Sequence, residues 1–413
     1  MTCEFEYLMH LLGAAATGTT PQPPKKPICW ERIFALAKEQ HIVPLIALAC
    51  QRSDALGCPA DLLQQQTKTL LSRVLSERVR RGFMVDILSQ MEQAGIRSYM
   101  VKGAVAARNY AAPEYRISSD TDICIDPAQE EEACRWLHNY GFSVTPRWRN
   151  GHHSVARYPR MGALEVHIRL YDEIAQDVWF KAIPESTLLA EPLQDIATSD
   201  GIFHTLGPTD HLVFMALHMI KHFISSGMSL RMMMDVALHF IKNKDSLDTD
   251  RFWSVIESLH YTPLMRGILW ATITYCGLSA EDFPGLAPCP QEHIQRILSD
   301  IEEGGWLGHN DMEQRAQSGL DYNRELMLRQ LSPWRYRIYL FKWRHGLSLR
   351  TFFPKREQLL PRYPWLQRHK WLLPAAWFHR LIFHGRTAIK KESKVDNAAT
   401  SPRLELFRSL EML

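Results

Sequence analysis

Three short runs hold the residue types best suited to chemistry: Lys102-Gly103, Asp120-Thr121-Asp122 and Glu165-Val166-His167. The β-branched residues of Asp122-Ile123-Cys124-Ile125 favour a strand. Residues two apart in a strand point to the same face, so a strand beginning at Asp120 sends Asp120 and Asp122 to one side. Two hard oxygen donors so placed suit Mg²⁺, which usually takes one or two carboxylates and completes its shell with water and phosphate oxygens. A D-x-D after two serines can equally be a turn cap, because Ser and Asp side chains bond their own backbone. The surrounding elements decide between the two.

Those elements read as strand, tight turn, short helix, loop and second strand. Gly95 is expected to close a long helix as its C-cap, and residues 96–100 to form the first strand. Gly103 permits a tight turn, a helix starting near Ala104 leaves amides free to meet a phosphate, and Lys102 adds a point charge. After Asp126-Pro127, residues 128–139 read as a helix with Glu130, Glu131 and Glu132 in its first turns, where the helix dipole favours them. Residues 142–148 and 153–158 look like paired strands around Arg149-Asn150-Gly151. Residues 164–170 alternate strictly between apolar and polar, so one strand face carries Glu165, His167 and Arg169.

The flanks are helical. The pattern predicts helices over 4–16, from Trp30, from Val43 and over 60–94, with a Pro-rich extended linker at 17–26. The last of these carries an apolar stripe through Leu70, Leu71, Val74, Leu75, Val79, Phe83, Met84, Ile87, Leu88 and Met91. Helices are also expected over 208–224, 228–243, 250–259, 262–276 and 290–303, followed by a loop over 304–330. The implied division is an N-terminal helical region (1–94), an α+β core with a small mixed sheet (95–207), a helical domain (208–330) and a basic, aromatic C-terminal region (331–413). His218 and His222 have the i, i+4 spacing that zinc uses, but without the Glu of H-E-x-x-H; packing or a place facing the cleft is the better reading. Arg231 and Asp235 read as an i, i+4 ion pair, and Met232, Met233 and Met234 as core filling.

Composition sets the outer limits. A chain of 413 residues with 46% apolar and 23% charged residues is an ordinary globular protein, and a net charge of +3 does not by itself argue for nucleic acid. The N-terminus lacks the basic start of a signal sequence, and no run reaches the roughly 18 apolar residues of a membrane span. The eight scattered cysteines form no C-x-x-C pair, which argues for reduced thiols and a cytoplasmic location.

The order Val101-Lys102-Gly103, Tyr110, Arg116, Asp120-x-Asp122, Glu165-x-His167 resembles the nucleotidyltransferase superfamily of the DNA polymerase β type. More closely, it is similar to an uncharacterised bacterial nucleotidyltransferase-like family, whose helical half also carries the pattern seen here as Asp210, His218, His222, Leu230-Arg231 and Asp235. The likeness runs over roughly residues 28–380. It departs from the wider superfamily at the phosphate turn, where Lys102-Gly103 replaces Gly-Gly or Gly-Ser. The resemblance implies a palm-like core. It also implies a Mg²⁺-dependent transfer of a nucleoside monophosphate from an NTP, with ATP the default, to an acceptor hydroxyl of a small molecule or protein, releasing pyrophosphate. Asp120, Asp122 and Glu165 would be the catalytic metal ligands for one or two Mg²⁺ ions. Lys102, Gly103, Arg116 and Ser119 would bind the nucleotide, and His167 would stand behind the ligands. A relative that binds a nucleotide or partner without catalysis is the alternative.

The tail offers three options. Between Arg335 and Lys394 lie fifteen Lys and Arg against Glu357 and Glu392, interleaved with Trp and Tyr. Basic charge with stacking rings suits single-stranded nucleic acid, residues 371–383 suit a membrane surface, and buried rings with snorkelling charges suit packing on the body. The resemblance continues through Phe352-Phe353-Pro354 and Arg362-Tyr363-Pro364, which favours packing. Residues 393–401 read as disordered.

Overall fold

The computed structural model describes residues 1–330 except 69, 119, 148–150, 173–174, 176–178, 181–182 and 184–188, together with 359, 363–367, 369, 372–374, 376–377 and 402–413. By its contacts the chain divides into Met1–Leu320 with Glu405–Leu413, and Asp321–Leu404. In the second unit Leu359, Tyr363, Leu366 and Ala376 form a small apolar cluster. The expected nucleic-acid or membrane contacts through 335–394 and the disorder at 393–401 fall largely outside the described residues.

In the first unit, α1 (Cys3–Thr17), α2 (Trp30–Glu39), α3 (Val43–Gln51), α4 (Ala60–Thr67) and α5 (Leu70–Gln93) precede a seven-stranded mixed sheet. The architecture is α+β. Its strands are β1 (Ser98–Val101), β2 (Asp120–Ile125), β3 (Ser143–Thr145), β4 (His153–Tyr158), β5 (Gly162–His167), β6 (Gln194–Thr198) and β7 (Gly201–Thr205), in the order β3-β4-β5-β2-β1-β7-β6. One-turn α6 (Gly103–Ala107) joins β1 towards β2, and α7 (Glu130–Tyr140) joins β2 to β3. The helical half follows as α8 (Pro208–Ser225), α9 (Leu230–Asn243), α10 (Thr249–Ser258), α11 (Thr262–Cys276), α12 (Gln291–Gly304) and α13 (Met312–Gln330). Among the described residues, no helix is long and apolar enough to cross a membrane.

Alternation along the strands splits the sheet into two faces. Ile123, Ile125, Leu164 and Val166 join Met84, Ile87, Leu88 and Met91 of α5 in one buried cluster. Gly95, at φ +84°, ends α5 as expected, and the Ile96 amide donates to the Met91 carbonyl at 2.9 Å.

Four features differ from the sequence reading. The stripe on α5 is only half right: Leu71, Leu75 and Val79 are exposed, while Glu77 and Arg80 are buried. Arg80 holds both Glu77 oxygens and donates to Thr121 Oγ1 at 2.7 Å, so a buried ion pair decides the rotation of the helix. The span 304–330 is not a loop but a 3-10 turn (Trp306–Asp311) followed by α13, because Glu, Gln, Arg, Leu and Met favour helix even in a segment that is polar on average. The hairpin β6-β7 carries little apolar alternation and an exposed β6, so no periodic signal announces it. A last helix, α14 (Pro402–Ser409), continues into buried Leu410 and Met412, and its Phe407 meets Phe223 edge to face.

Candidate active site

Strand register assembles the site. Parallel pairing of β2 with β5 sets Asp122 beside Glu165 and Cys124 beside His167. Antiparallel β4 sets His153 opposite His167, and β1 sets Val101 opposite Asp122. Asp120, Asp122, Glu165, His167 and His153 therefore share the face opposite Ile123 and Val166.

The chain leaves β1 through Lys102, whose backbone is in the rare region at φ 58°, ψ −122°. A non-glycine residue there costs of order 1–3 kcal/mol. The conformation turns its amide to His211 Nε2 at 3.1 Å and its ammonium to Asp122 Oδ1 at 2.7 Å. The same ammonium lies 5.9 Å from the centre of the Phe214 ring. His167 Nε2–H donates to Asp122 Oδ1 at 2.9 Å and lies 3.4 Å from Glu165 Oε2. One ligand atom from each of Asp122, Glu165 and His167 falls within 4.8 Å of the others.

The electrostatics follow from these contacts. Burial alone would raise the Asp122 carboxyl, but the Lys102 ammonium and the His167 hydrogen bond outweigh it and hold it well below the usual carboxylate range. The His167 N–H is the first cause that keeps Glu165 low. Burial disfavours the Lys102 ammonium, yet the Asp122 charge reverses that and raises its pKa. Both carboxylates are thus ionised at neutral pH, and their oxygens are the donors that a hard cation takes.

Behind the turn, Gly103 is packed too closely for any side chain: an added Cβ would sit 2.6 Å from Ser118 Oγ and 3.0 Å from Arg116 Nη1. Arg116 is buried; it donates to Ser118 Oγ and from Nε to Asp235 Oδ1 at 3.1 Å, with Nη2 on Asp235 Oδ2. Tyr110 Oη donates to the same carboxylate at 2.8 Å. Asp235 therefore pairs with Arg116 across 119 positions of sequence, not with Arg231, whose Nη1 donates to the Ile117 carbonyl at 2.6 Å. The expected i, i+4 pair is corrected: Tyr110 and Arg116 bring two buried donors to Asp235, and Arg231 turns instead to the backbone of Ile117 in the same loop as Arg116. Arg116 consequently braces the Lys102-Gly103 turn. Asp120 begins β2 beside Ala163, half-buried, outside the three-atom group. Ser119 lies outside the described residues.

A family model described as an uncharacterised nucleotidyltransferase matches residues 26–276, the span that carries this whole arrangement. The chain belongs to that family. Nucleotidyl transfer is the general activity of this enzyme class. Solved structures with partial likeness to this nucleotidyltransferase include an antigenic nucleotidyltransferase-like protein from Paracoccidioides brasiliensis, at 14% identity and TM-score 0.30, covering 46% of this chain and 92% of that one. They also include a tRNA-processing enzyme in an apo form, at 14% identity and TM-score 0.22, covering 79% and 100%. A tRNA nucleotidyltransferase complexed with a primer tRNA and an incoming ATP analog has 14% identity and TM-score 0.21, covering 75% and 99%. A comparison with curated proteins found no match.

Several residues of this nucleotidyltransferase's site escaped the sequence reading. His211 joins Phe214, His218 and His222 on one face of α8; spacings of three, seven and eleven from His211 were there to be read, but only the last two histidines stood out. Rings of His218 and His222 lie 4.6 Å apart. Burial, seconded by Lys102, holds His218 well below the ordinary imidazole range, and burial takes His222 down to about 4. The doublet His152-His153 gave a compositional signal that no periodicity argument uses.

Proposed function

We propose that this protein moves a nucleoside monophosphate from an NTP, ATP by default, to an acceptor hydroxyl, with pyrophosphate as leaving group and Mg²⁺ as cofactor. The observation that carries the reading is the convergence of Asp122, Glu165 and Lys102 at the mouth of one tight turn on the polar face of the sheet.

The residues present fit a Mg²⁺ ion. Two ionised carboxylates on neighbouring strands offer the hard oxygens it needs, with Asp120 the next carboxylate along the same face. When bound, the ion would neutralise phosphate charge and stabilise the attacking and leaving oxygens. Lys102, released from Asp122 as the triphosphate enters, carries its positive charge to the phosphate oxygens; Gly103 lets the backbone approach closely. Arg116 holds the turn from below, and Ser119 remains a candidate for the nucleotide on the sequence pattern alone. The acceptor oxygen attacks the α-phosphorus in line, its bond forms as the α–β bridging bond breaks, and Glu165 takes the acceptor proton or serves as a ligand. His167 keeps both carboxylates oriented through its Nε2–H.

Titration calorimetry tests the reading: each nucleoside triphosphate, with and without Mg²⁺, into wild type and the Asp120→Ala/Asp122→Ala double variant. Mg²⁺-dependent binding that disappears in the variant supports it. A folded wild type that binds no triphosphate sinks it and shifts weight to a partner-binding relative.

A further inference from the structure

Beside the carboxylates stands a second cluster, of which the proposed nucleotidyl transfer uses only His167. Antiparallel pairing of β4 with β5 places His153 directly across from His167. His152 precedes β4, and its carbonyl accepts the Ile168 amide at 2.9 Å, which pins the backbone of the third histidine against the end of β5. The ring centres form a triangle: 4.5 Å between His152 and His153, 5.2 Å between His152 and His167, and 5.0 Å between His153 and His167. One nitrogen from each ring lies within 4.8 Å of the other two.

We propose that His152, His153 and His167 form a binding site for a borderline-soft divalent transition metal of the Zn²⁺ type, separate from the Mg²⁺ site. Nitrogens that share a tetrahedral zinc at about 2.0–2.1 Å stand roughly 3.3–3.4 Å apart; His152 Nε2 and His153 Nδ1 are already 3.3 Å apart. Without metal that contact is an N–H···N hydrogen bond. For both nitrogens to face the cation, the ring that donates this bond takes its other neutral tautomer, with the proton on its far nitrogen, so the ligands stay neutral imidazoles and no net proton is released. Three imidazoles are a poor seat for Mg²⁺ and a good one for zinc, so the two neighbouring pockets sort ions by ligand type.

His167 is the shared wall. Its Nε2–H is committed to Asp122, which leaves Nδ1 for the metal. A carboxylate behind the far nitrogen of a liganding histidine fixes the tautomer and ring orientation and strengthens the ligand. Asp122 thus has two duties, and occupancy of the histidine pocket is felt at the transferase site through one imidazole.

The test is equilibrium dialysis of Zn²⁺ against the full-length protein in a large excess of Mg²⁺, with wild type and His152→Gln, His153→Gln and Asp120→Asn variants whose folding is checked by circular dichroism. The expected result is retention of zinc by wild type, at least about tenfold weaker binding in each histidine variant, and binding within about threefold of wild type in Asp120→Asn. Zinc held equally well without His152 or His153, or lost with Asp120 alone, overturns the proposal. So does a folded wild type that retains no zinc. Cobalt substitution gives a reading independent of any variant: an intense visible band marks a nitrogen-rich tetrahedral site, whereas the weak spectrum of octahedral oxygen coordination refutes it. These readouts follow the metal alone, so their failure leaves the nucleotide-binding result untouched, and the reverse holds too.

Discussion

The two faces of one sheet make opposite use of the same strands. On one, Ile123 and Val166 lie side by side with the apolar residues of α5; on the other, one residue along each strand, Asp122 and Glu165 lie side by side with Lys102 and His167. Each face also holds a buried cation on a carboxylate. Arg80 with Glu77 sits on the helix face, where Arg80 ties α5 to Thr121 at the edge of the apolar cluster. Lys102 with Asp122 sits on the other, where the ammonium keeps some exposure and hangs from a strained backbone. The first pair is bidentate and braced; the second is a single contact that an incoming anion can replace. The lesson is that similar ion pairs serve rigidity or exchange according to how many bonds hold them and whether water reaches them.

The largest expected effect comes from Asp122→Asn, which should lower kcat by about 1,000-fold, the upper range for removing a preorganised charge from a transition state, while denaturation stays cooperative. Transfer assays with radiolabelled NTP decide this; an unimpaired rate would mean that the polar face does no catalysis. The mirror experiment is Ile123→Ala, which should lower unfolding free energy by about 3 kcal/mol and leave Mg²⁺–NTP affinity within about twofold, as read by urea denaturation and calorimetry on the same samples. If the nucleotide affinity collapsed as well, the faces would not be separable. Arg80→Met should destabilise by about 2 kcal/mol, less than a lost charge pair would, because Arg81 still holds Glu77 at 3.0 Å.

The smallest effect, taken per pH unit, is the pH dependence of the polar face. His222 has a pKa depressed by burial to about 4, below an ordinary imidazole near 6.5. A depressed histidine favours the folded state fully above about pH 6.5, and that advantage is lost as pH falls from there toward 4. Stability should therefore drop by up to about 1.4 kcal/mol per pH unit for this group across that window. His222→Gln should flatten the slope of urea midpoints measured between pH 7 and pH 4.5; an unchanged slope would assign the acid sensitivity elsewhere.

Legibility followed the range of the interaction that decides each feature. Strands β2 and β5, the C-cap at Gly95 and the helices α8–α12 were readable because period and capping act within a few residues. The partner of Asp235 was misread because Arg231 is its neighbour on the helix, whereas Arg116 and Tyr110 reach it only after the chain has folded back. The rotation of α5 was misread for a similar reason. Two adjacent stripes each had a claim to the core, and only the buried Glu77–Arg80 pair beneath Thr121 selected between them.

What the sequence determined alone was parity: Asp120 with Asp122, and Glu165 with His167, each on one side of its strand, because a pleat alternates whatever surrounds it. Tertiary structure decided which of these residues meet. A one-residue slip between β2 and β5 would set Asp122 beside a residue of the apolar face, and the register that sets it beside Glu165 comes from packing of Ile123, Leu164 and Val166 against α5 on the far side. The histidine triangle likewise exists only because β4 folds back on β5 and brings residues 152 and 153 to residue 167. Local geometry is written in neighbours along the chain, and the choice of partners is made by burial across it.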